Sequence, residues 1–243
     1  MEVDIFIPCF IDQLYPETGF NMIKILEKLG VKVHYNANQT CCGQMAFNSG
    51  FWDEARELGV KFLHDFPGNR PVVSPSASCA GYIRNYYDKL FHNTPWHLEN
   101  KKISQNIFEV TDFIVNVLKV ENIPSTFEAV VTYHDSCAAL REYRLTKETP
   151  RKLLRGIKGL KLVEMEKSDE CCGFGGTFAV KHEPISTAMA EQKVHNALDT
   201  GAEYIVSTDS SCLMHQDGYI KKHNLNIKTK HIIDLIAEGL DGA

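Results

Sequence analysis

The arrangement of the cysteines constrains this chain more than any other feature of its sequence. A single cysteine, a Cys-Cys-Gly sequence and a second single cysteine follow one another twice along the 243 residues. The two sets are Cys9, Cys41, Cys42 and Cys79, and Cys137, Cys171, Cys172 and Cys212. Corresponding cysteines lie 128, 130 and 133 residues apart, a spacing that indicates an internal duplication with small insertions. We therefore expect the chain to fold into two similar halves.

Residues beside the cysteines repeat in the same order. PSASC, which ends at Cys79, resembles TDSSC, which ends at Cys212. VTDFI at 110–114 resembles IIDLI at 232–236, with a smaller offset because the first half carries extra residues around 92–100. These matches extend the duplication beyond the cysteines to most of the chain.

Each half alternates apolar segments typical of strands with segments in which apolar residues have helical spacing. The strand-like segments are 3–8, 31–36, 72–75, 129–134, 160–165 and 204–208. Strands that alternate with helices form parallel sheets with crossover connections. We therefore predict an α/β protein with two tandem Rossmann-like domains, each with a parallel sheet, related by a pseudo-twofold axis. The junction lies near Pro124, which predicts a first domain at residues 1–122 and a second at 123–243.

Every cysteine follows a predicted strand. In parallel sheets the loops at the carboxyl ends of the strands gather at one edge, where ligands bind. Distant cysteines of one set would therefore converge on a common site. Glycines next to the cysteines would let the backbone take positive φ, approach a bulky group and direct N–H groups at sulfur. These glycines are Gly43, Gly173, Gly175 and Gly176.

Composition and charge argue against several classes of partner. The chain is 44% apolar and 23% charged, as is usual for a soluble globular protein. Its net charge is −5 and neither sign forms a long run, which argues against a surface for nucleic acids or anionic membranes. No basic region followed by a long apolar stretch opens the sequence, and no apolar run approaches the roughly 18–20 residues that cross a bilayer. We expect a cytoplasmic protein.

Four converging thiolates in such a protein favour a thiophilic centre, either an iron–sulfur cluster or zinc. Zinc sites usually contain short C-x2–4-C sequences, which this chain lacks, and adjacent cysteines suit a larger core, so a cluster is favoured. Other interpretations remain open. They are small buried thiols, disulfides, a phosphate-binding turn at 173–176, and a catalytic thiol such as Cys137 paired with His134.

The repeated pattern resembles the cysteine-rich CCG domain. That domain occurs twice in the cysteine-rich subunit of heterodisulfide reductase and in the iron–sulfur subunits of glycolate and anaerobic glycerol-3-phosphate dehydrogenases. The resemblance covers nearly the whole chain. Its length, together with HDSC (134–137), CCGFGGTFAVK (171–181) and DSSCLMH (209–215), is most similar to the lactate utilization protein A family.

This resemblance implies an oxidoreductase subunit of an L-lactate dehydrogenase complex, which converts L-lactate to pyruvate. It also implies two partner subunits, a larger protein with ferredoxin-type clusters and a small protein. In the heterodisulfide reductase relatives each motif holds a non-cubane [4Fe-4S] cluster through five cysteines. Here Tyr82 and His215 replace the fifth cysteines, so each half offers four thiolates, enough for one ordinary [4Fe-4S] cluster. His215 is an additional candidate ligand, and Tyr82 is expected to pack beside the site.

Polar residues near Cys137 are candidates for tuning such a cluster. His134, Asp135 and Ser136 are expected to donate hydrogen bonds to its sulfur atoms. Arg141 would face a partner or meet a substrate carboxylate. No catalytic residue and no flavin or nicotinamide pattern is recognised. The alternative functions are a heterodisulfide-reductase-like enzyme, a glycolate oxidase iron–sulfur subunit, and a zinc-stabilised scaffold without enzymatic activity.

Overall fold

The fold contains two parallel sheets with the same strand order, as a computed structural model of residues 1–241 describes it. The first sheet has the order β2-β1-β3-β4 and the second the order β6-β5-β7-β8. The strands of the first sheet are β1 Glu2–Ile5, β2 Lys32–Tyr35, β3 Val72–Ser74 and β4 Ile107–Glu109. Those of the second are β5 Thr126–Tyr133, β6 Lys158–Leu162, β7 Tyr204–Ser207 and β8 Lys228–His231. The predicted tandem Rossmann-like fold is confirmed.

Helices connect the strands of each sheet. In the first half they are α1 Cys9–Leu14, α2 Pro16–Lys28, α3 Gln44–Asn48, α4 Trp52–Asp65, α5 Ala77–Phe91, α6 His97–Asn106 and α7 Val110–Asp112, which continues as a π-helix at Phe113–Val117. In the second half they are a π-helix at Ala138–Tyr143, α8 Glu148–Arg155, α9 Thr177–Lys181, α10 Glu183–Leu198, α11 Ser210–Lys222 and α12 Ile232–Asp241. Among residues 1–241, no helix has the length and apolar character needed to span a membrane.

The central strands are the apolar ones in each sheet. Val3, Ile5 and Val73, on neighbouring strands β1 and β3, are fully buried. Ile205 and Val206 of β7 are buried in the same way beside β5. Because the strands are short and parallel, every following segment starts at the same edge of its sheet. That edge carries the cysteines.

The two halves share one hydrophobic core. Helices α2 and α12 pack against each other, and Ile25 and Leu26 belong to the same buried cluster as Leu235 and Ile236. Asp234 adds polar contacts across this junction, as its carboxylate accepts hydrogen bonds from Thr18 Oγ1 at 2.8 Å and from Asn21 Nδ2 at 2.9 Å. The shared core holds the cysteine-bearing edges of the two sheets next to each other.

The link between the halves runs from the first π-helix to β5. Ile123, in the middle of this link, is only 2% exposed and packs into the shared core. Ser125 accepts a backbone hydrogen bond from Lys158 and so begins the second sheet. We propose that the two domains are residues 1–122 and 123–243.

Candidate metal centres

The first set of cysteines converges on one cavity of about 100 Å³. Cys9 begins α1 directly after β1, and Cys79 lies in the first turn of α5 after β3. The Cys-Cys-Gly turn approaches from β2 and leads into α3. All four thiols line the cavity: Cys9, Cys41, Cys42 and Cys79. Residues up to 70 positions apart in sequence thus share one site.

The second set converges in the same way on a cavity of about 130 Å³. Cys137 precedes the second π-helix after β5, and Cys212 lies in the first turn of α11 after β7. The sulfur atoms of Cys137 and Cys171 are 3.6 Å apart. Cys172 is 1% exposed and Cys212 is 6% exposed, so this set is the more deeply buried. All four thiols again line the cavity: Cys137, Cys171, Cys172 and Cys212.

The glycine of each Cys-Cys-Gly turn directs its N–H at sulfur. The backbone N–H of Gly43 donates to Cys41 Sγ at 3.4 Å, and that of Gly173 donates to Cys171 Sγ at 3.4 Å. Both glycines have positive φ, as expected. A Cβ at Gly173 would lie 2.6 Å from the Ser186 carbonyl oxygen of α10. The space that Gly173 leaves is therefore taken by a helix backbone and not by the cavity.

The first cysteine of each adjacent pair is the one that ionises most readily. Hydrogen bonds from Cys42 and Cys9 lower the pKa of Cys41 to about 3. The pKa of Cys171 is lowered to about 2, chiefly by a hydrogen bond from Cys137. The same interactions, together with burial, raise the pKa values of the donor thiols Cys9 and Cys137. Each cavity therefore presents a thiolate, which is the form that binds metals.

A second thiolate in the second cavity has a histidine beside it. The pKa of Cys212 is lowered to about 6, first by a hydrogen bond from Cys172 and further by interaction with His134. His134 is completely buried at the end of β5. One of its ring nitrogens and the sulfur atoms of Cys172 and Cys212 all lie within 4.8 Å of one another. The histidine is thus near this site, as the sequence predicted.

One wall separates the two cavities, and both halves contribute equivalent residues to it. Gln44 and Phe174, each the residue directly after a Cys-Cys-Gly sequence, line both cavities. Ser78 and Ser211, each directly before the last cysteine of its set, do so as well. Met45 completes the shared wall. Sequence reasoning missed these residues, although their positions next to the cysteines were a usable signal.

An acidic residue of the second half lies beside this wall. Glu142 lines the second cavity and accepts a hydrogen bond from Gln44 Nε2 at 3.3 Å. Burial raises the pKa of its carboxyl group, with a further contribution from Asp209. Arg141, next to it in sequence, is exposed on the π-helix and lies outside the lining of the cavity.

Asp135 and Ser136 have different roles from each other. Asp135 is 2% exposed and binds Arg151, with Oδ1 accepting from Nη1 and Oδ2 from Nη2, both at 2.8 Å. It also accepts from Ser168 Oγ at 2.8 Å, which holds the loop that leads to Cys171. Ser136 lines the second cavity, and its Oγ lies 3.9 Å from Cys212 Sγ. Of these two residues, only Ser136 is in position to contact a cysteine sulfur.

Tyr82 and His215, which the sequence placed near the sites, lie outside both cavity linings. Tyr82 is 1% exposed in the apolar core of the first half, with its ring 5.2 Å from that of Tyr87. His215 Nε2 is 3.1 Å from Ser186 Oγ and 3.3 Å from the Ser186 carbonyl oxygen. Neither residue joins the four thiols that line each cavity.

Thiolate donors from separate loops suit an iron–sulfur cluster, and they also suit zinc. Calcium and magnesium prefer carboxylate ligands, and among residues 1–241 the only carboxylates at these linings are Glu142 and Asp209 at the second cavity, whereas four cysteine sulfur atoms line each cavity. The donor chemistry therefore fits a thiophilic group in both halves.

Comparisons with known proteins place the chain among cysteine-rich proteins. The sequence model described as the CCG cysteine-rich domain matches residues 3–84 and 131–217. The chain is 39% identical to "Lactate utilization protein A" of Geobacillus kaustophilus, over 97% of this chain and 98% of that protein. It is 37% identical to the protein of the same name from Oceanobacillus iheyensis, over 100% and 99%. A crystal structure titled as a hypothetical protein from Helicobacter pylori aligns with TM-score 0.54 at 13% identity, over 98% of this chain and 49% of that one. That last likeness concerns the fold alone.

Proposed function

The chain belongs to the lactate utilization protein A family of CCG cysteine-rich proteins, and from this premise we propose that it is an iron–sulfur electron-transfer subunit of a complex that oxidises L-lactate to pyruvate. The observation that carries the proposal is the pair of cavities, each lined by four cysteine thiols and divided by one shared wall. Two adjacent sites of this kind would allow single electrons to pass between two centres.

Each set of cysteines would hold one [4Fe-4S] cluster. Bound clusters of this kind accept and release one electron each. Conversion of L-lactate to pyruvate releases two electrons and two protons, so two clusters match the number of electrons. The N–H groups of Gly43 and Gly173 would stabilise the thiolate ligands.

The chain would act with other subunits. We propose a larger partner with ferredoxin-type clusters and a small partner, one of which removes hydrogen from lactate. Cys9 is exposed, and Phe10 beside it lines the first cavity, so the first site opens toward the surface. Electrons would pass between a partner and the two sites through this side of the molecule.

One observation also supports a zinc-stabilised scaffold. Metal–sulfur bonds of about 2.3 Å place the sulfur atoms of one tetrahedral ion roughly 3.8 Å apart. The 3.6 Å separation of Cys137 and Cys171 is close to that value. Zinc is therefore the second candidate for these sites, and metal analysis separates the two.

The test is purification without oxygen, followed by metal analysis and assays with lactate, glycolate and a disulfide. We expect a brown protein with about four irons in each half and reduction of its clusters by lactate when the partner subunits are present. Cys41→Ser and Cys171→Ser should each remove the iron of one site and keep that of the other. A colourless protein with one zinc per half would exclude the electron-transfer role. Preferential reduction by glycolate, or turnover of a disulfide, would reassign the substrate.

A further inference from the structure

His134 is a buried histidine with neither ring nitrogen hydrogen-bonded. The residue is 0% exposed, and within the described part of the chain Nδ1 and Nε2 have no hydrogen-bond partner. Burial of a polar group without a hydrogen-bond partner destabilises the folded state. One ring nitrogen lies within 4.8 Å of the sulfur atoms of both Cys172 and Cys212. A thiolate at either position would give the ring N–H its missing acceptor.

The backbone of His134 is held firmly beside β7. Its N–H donates to the Val206 carbonyl oxygen at 2.8 Å, and its own carbonyl oxygen accepts from Ser207 Oγ at 3.0 Å. The same strand leads directly into α11, which carries Cys212. The ring and the Cys212 sulfur are therefore positioned by one rigid pair of strands.

His134 lies behind the cysteines and not among the residues that line the second cavity. Ser136, Cys137 and all the other cysteines of the set line that cavity, whereas His134 does not. Any group held in the cavity would meet the thiols first. The histidine is thus placed to donate a hydrogen bond to a ligand sulfur atom. It is not placed to coordinate a metal directly, because the sulfur atoms lie between the ring and the cavity.

The first half has no counterpart of this donor. The residue three positions before Cys9 is Phe6, just as His134 is three positions before Cys137. Phe6 is fully buried and packs edge to face on Phe62 and Phe66, with ring centroids 5.0 and 5.8 Å away. The second site therefore has a buried N–H donor at the position where the first site has a hydrocarbon ring.

We propose that His134 donates a hydrogen bond to the Cys172 or Cys212 thiolate and makes the second site the electron acceptor of the two. This inference rests on the proposed function. A hydrogen bond to a ligand thiolate withdraws negative charge and so favours the reduced, more negative cluster, which raises the reduction potential. One electron would then leave the first cluster, which is oxidised, and enter the second, which is reduced. No proton moves in this step.

The experiment is redox potentiometry, monitored by electron paramagnetic resonance, on the cluster-loaded chain. His134→Phe installs the residue of the first half. We expect it to lower one of the two midpoint potentials by at least 59 mV, which is a tenfold change for one electron, and to leave the other potential and the iron content unchanged. His134→Gln, which keeps an N–H donor, should recover part of the shift. Two unchanged potentials in a fully loaded His134→Phe protein would overturn the proposal.

A measurement on the unmodified chain covers the case in which His134→Phe fails to load the second site. Pulsed electron paramagnetic resonance with 15N-labelled histidine should detect a weak nitrogen coupling to one reduced cluster. Absence of any coupling, or a strong coupling typical of an iron–nitrogen bond, would overturn the hydrogen-bond role. A wild-type chain that binds zinc without iron would instead overturn the proposed function itself.

Discussion

Ser76 Oγ and Asp209 Oδ1 lie 3.4 Å apart, although the two residues hold equivalent positions in the two halves. Each precedes the last cysteine of its set by three residues. Asp209 Oδ1 also accepts from the backbone N–H of Ser78 at 3.0 Å, at the start of α5 in the other half. The carboxylate of one domain thus caps a helix of the other, next to the wall between the two cavities. This contact joins the two halves next to both sites.

Replacement of Asp209 should weaken the junction between the halves. Asp209→Ala removes the acceptor for Ser78 and Ser76, and we expect the free energy of unfolding to fall by about 1–3 kcal/mol in urea denaturation. Asp209→Asn keeps an acceptor oxygen and should lose less than half of that. Equal stability of the two variants would show that the cross-domain bond contributes little.

The Arg151–Asp135 ion pair should be the most sensitive charged contact near the second site. Both side chains are almost completely buried. Arg151→Ala leaves the Asp135 carboxylate buried without its partner, at a cost of about 3–5 kcal/mol. Arg155→Ala, on the same helix, breaks only an exposed pair with Glu148 and should cost about 0–1 kcal/mol. Urea denaturation of both variants provides the comparison, and similar losses would contradict the structural role of Asp135.

Gly173 and Gly50 offer a matched test of what the Cys-Cys-Gly turn requires. Their φ angles are +92° and +88°, but a Cβ at Gly50 would meet no atom within 4 Å. Gly50→Ala should therefore cost only the left-handed strain, about 1–2 kcal/mol. Gly173→Ala adds a clash with α10 and should cost about 1–3 kcal/mol more, with loss of iron from the second site. A Gly173→Ala protein with normal iron content would refute the close-packing requirement.

Glu109 should make stability depend on pH. Burial raises the pKa of its carboxyl group to about 8, although Oε2 accepts hydrogen bonds from the Thr111 and Asp112 backbone N–H groups. The folded state therefore holds the proton more tightly than the unfolded state. The contribution of Glu109 to the free energy of unfolding is complete below pH 4.5. It falls by up to about 5 kcal/mol as the pH rises through 8.

The variant Glu109→Gln should remove most of that decline, because its side chain does not ionise. Glu99→Gln, at an exposed position, is the control and should keep the wild-type pH dependence. Urea denaturation between pH 5 and pH 8 measures both. Parallel curves for wild type and Glu109→Gln would contradict the buried, protonated carboxyl group.

The sequence predicted the duplicated architecture and the cysteine sets, but it missed two strands. β4 and β8 have three and four residues, and β8 reads KTKH, without an apolar pattern. Their parallel pairing with β3 and β7 defines them, and that pairing depends on distant hydrogen bonds. The π-helices were missed for a similar reason, because no residue pattern marks the longer hydrogen-bond spacing. The glycines were expected to make room for a bulky group, whereas Gly173 makes room for α10.

By itself the sequence determined the two-domain α/β order and the grouping of the cysteines, because strand periodicity and an internal repeat are local signals. Only the tertiary structure decided that Gln44 and Phe174 share one wall, that Asp209 caps the opposite domain, and that His134 lies behind two sulfur atoms. The first two of these contacts arise because α2 and α12 pack the halves together. The resulting alignment joins residues more than a hundred positions apart, and no local pattern encodes it.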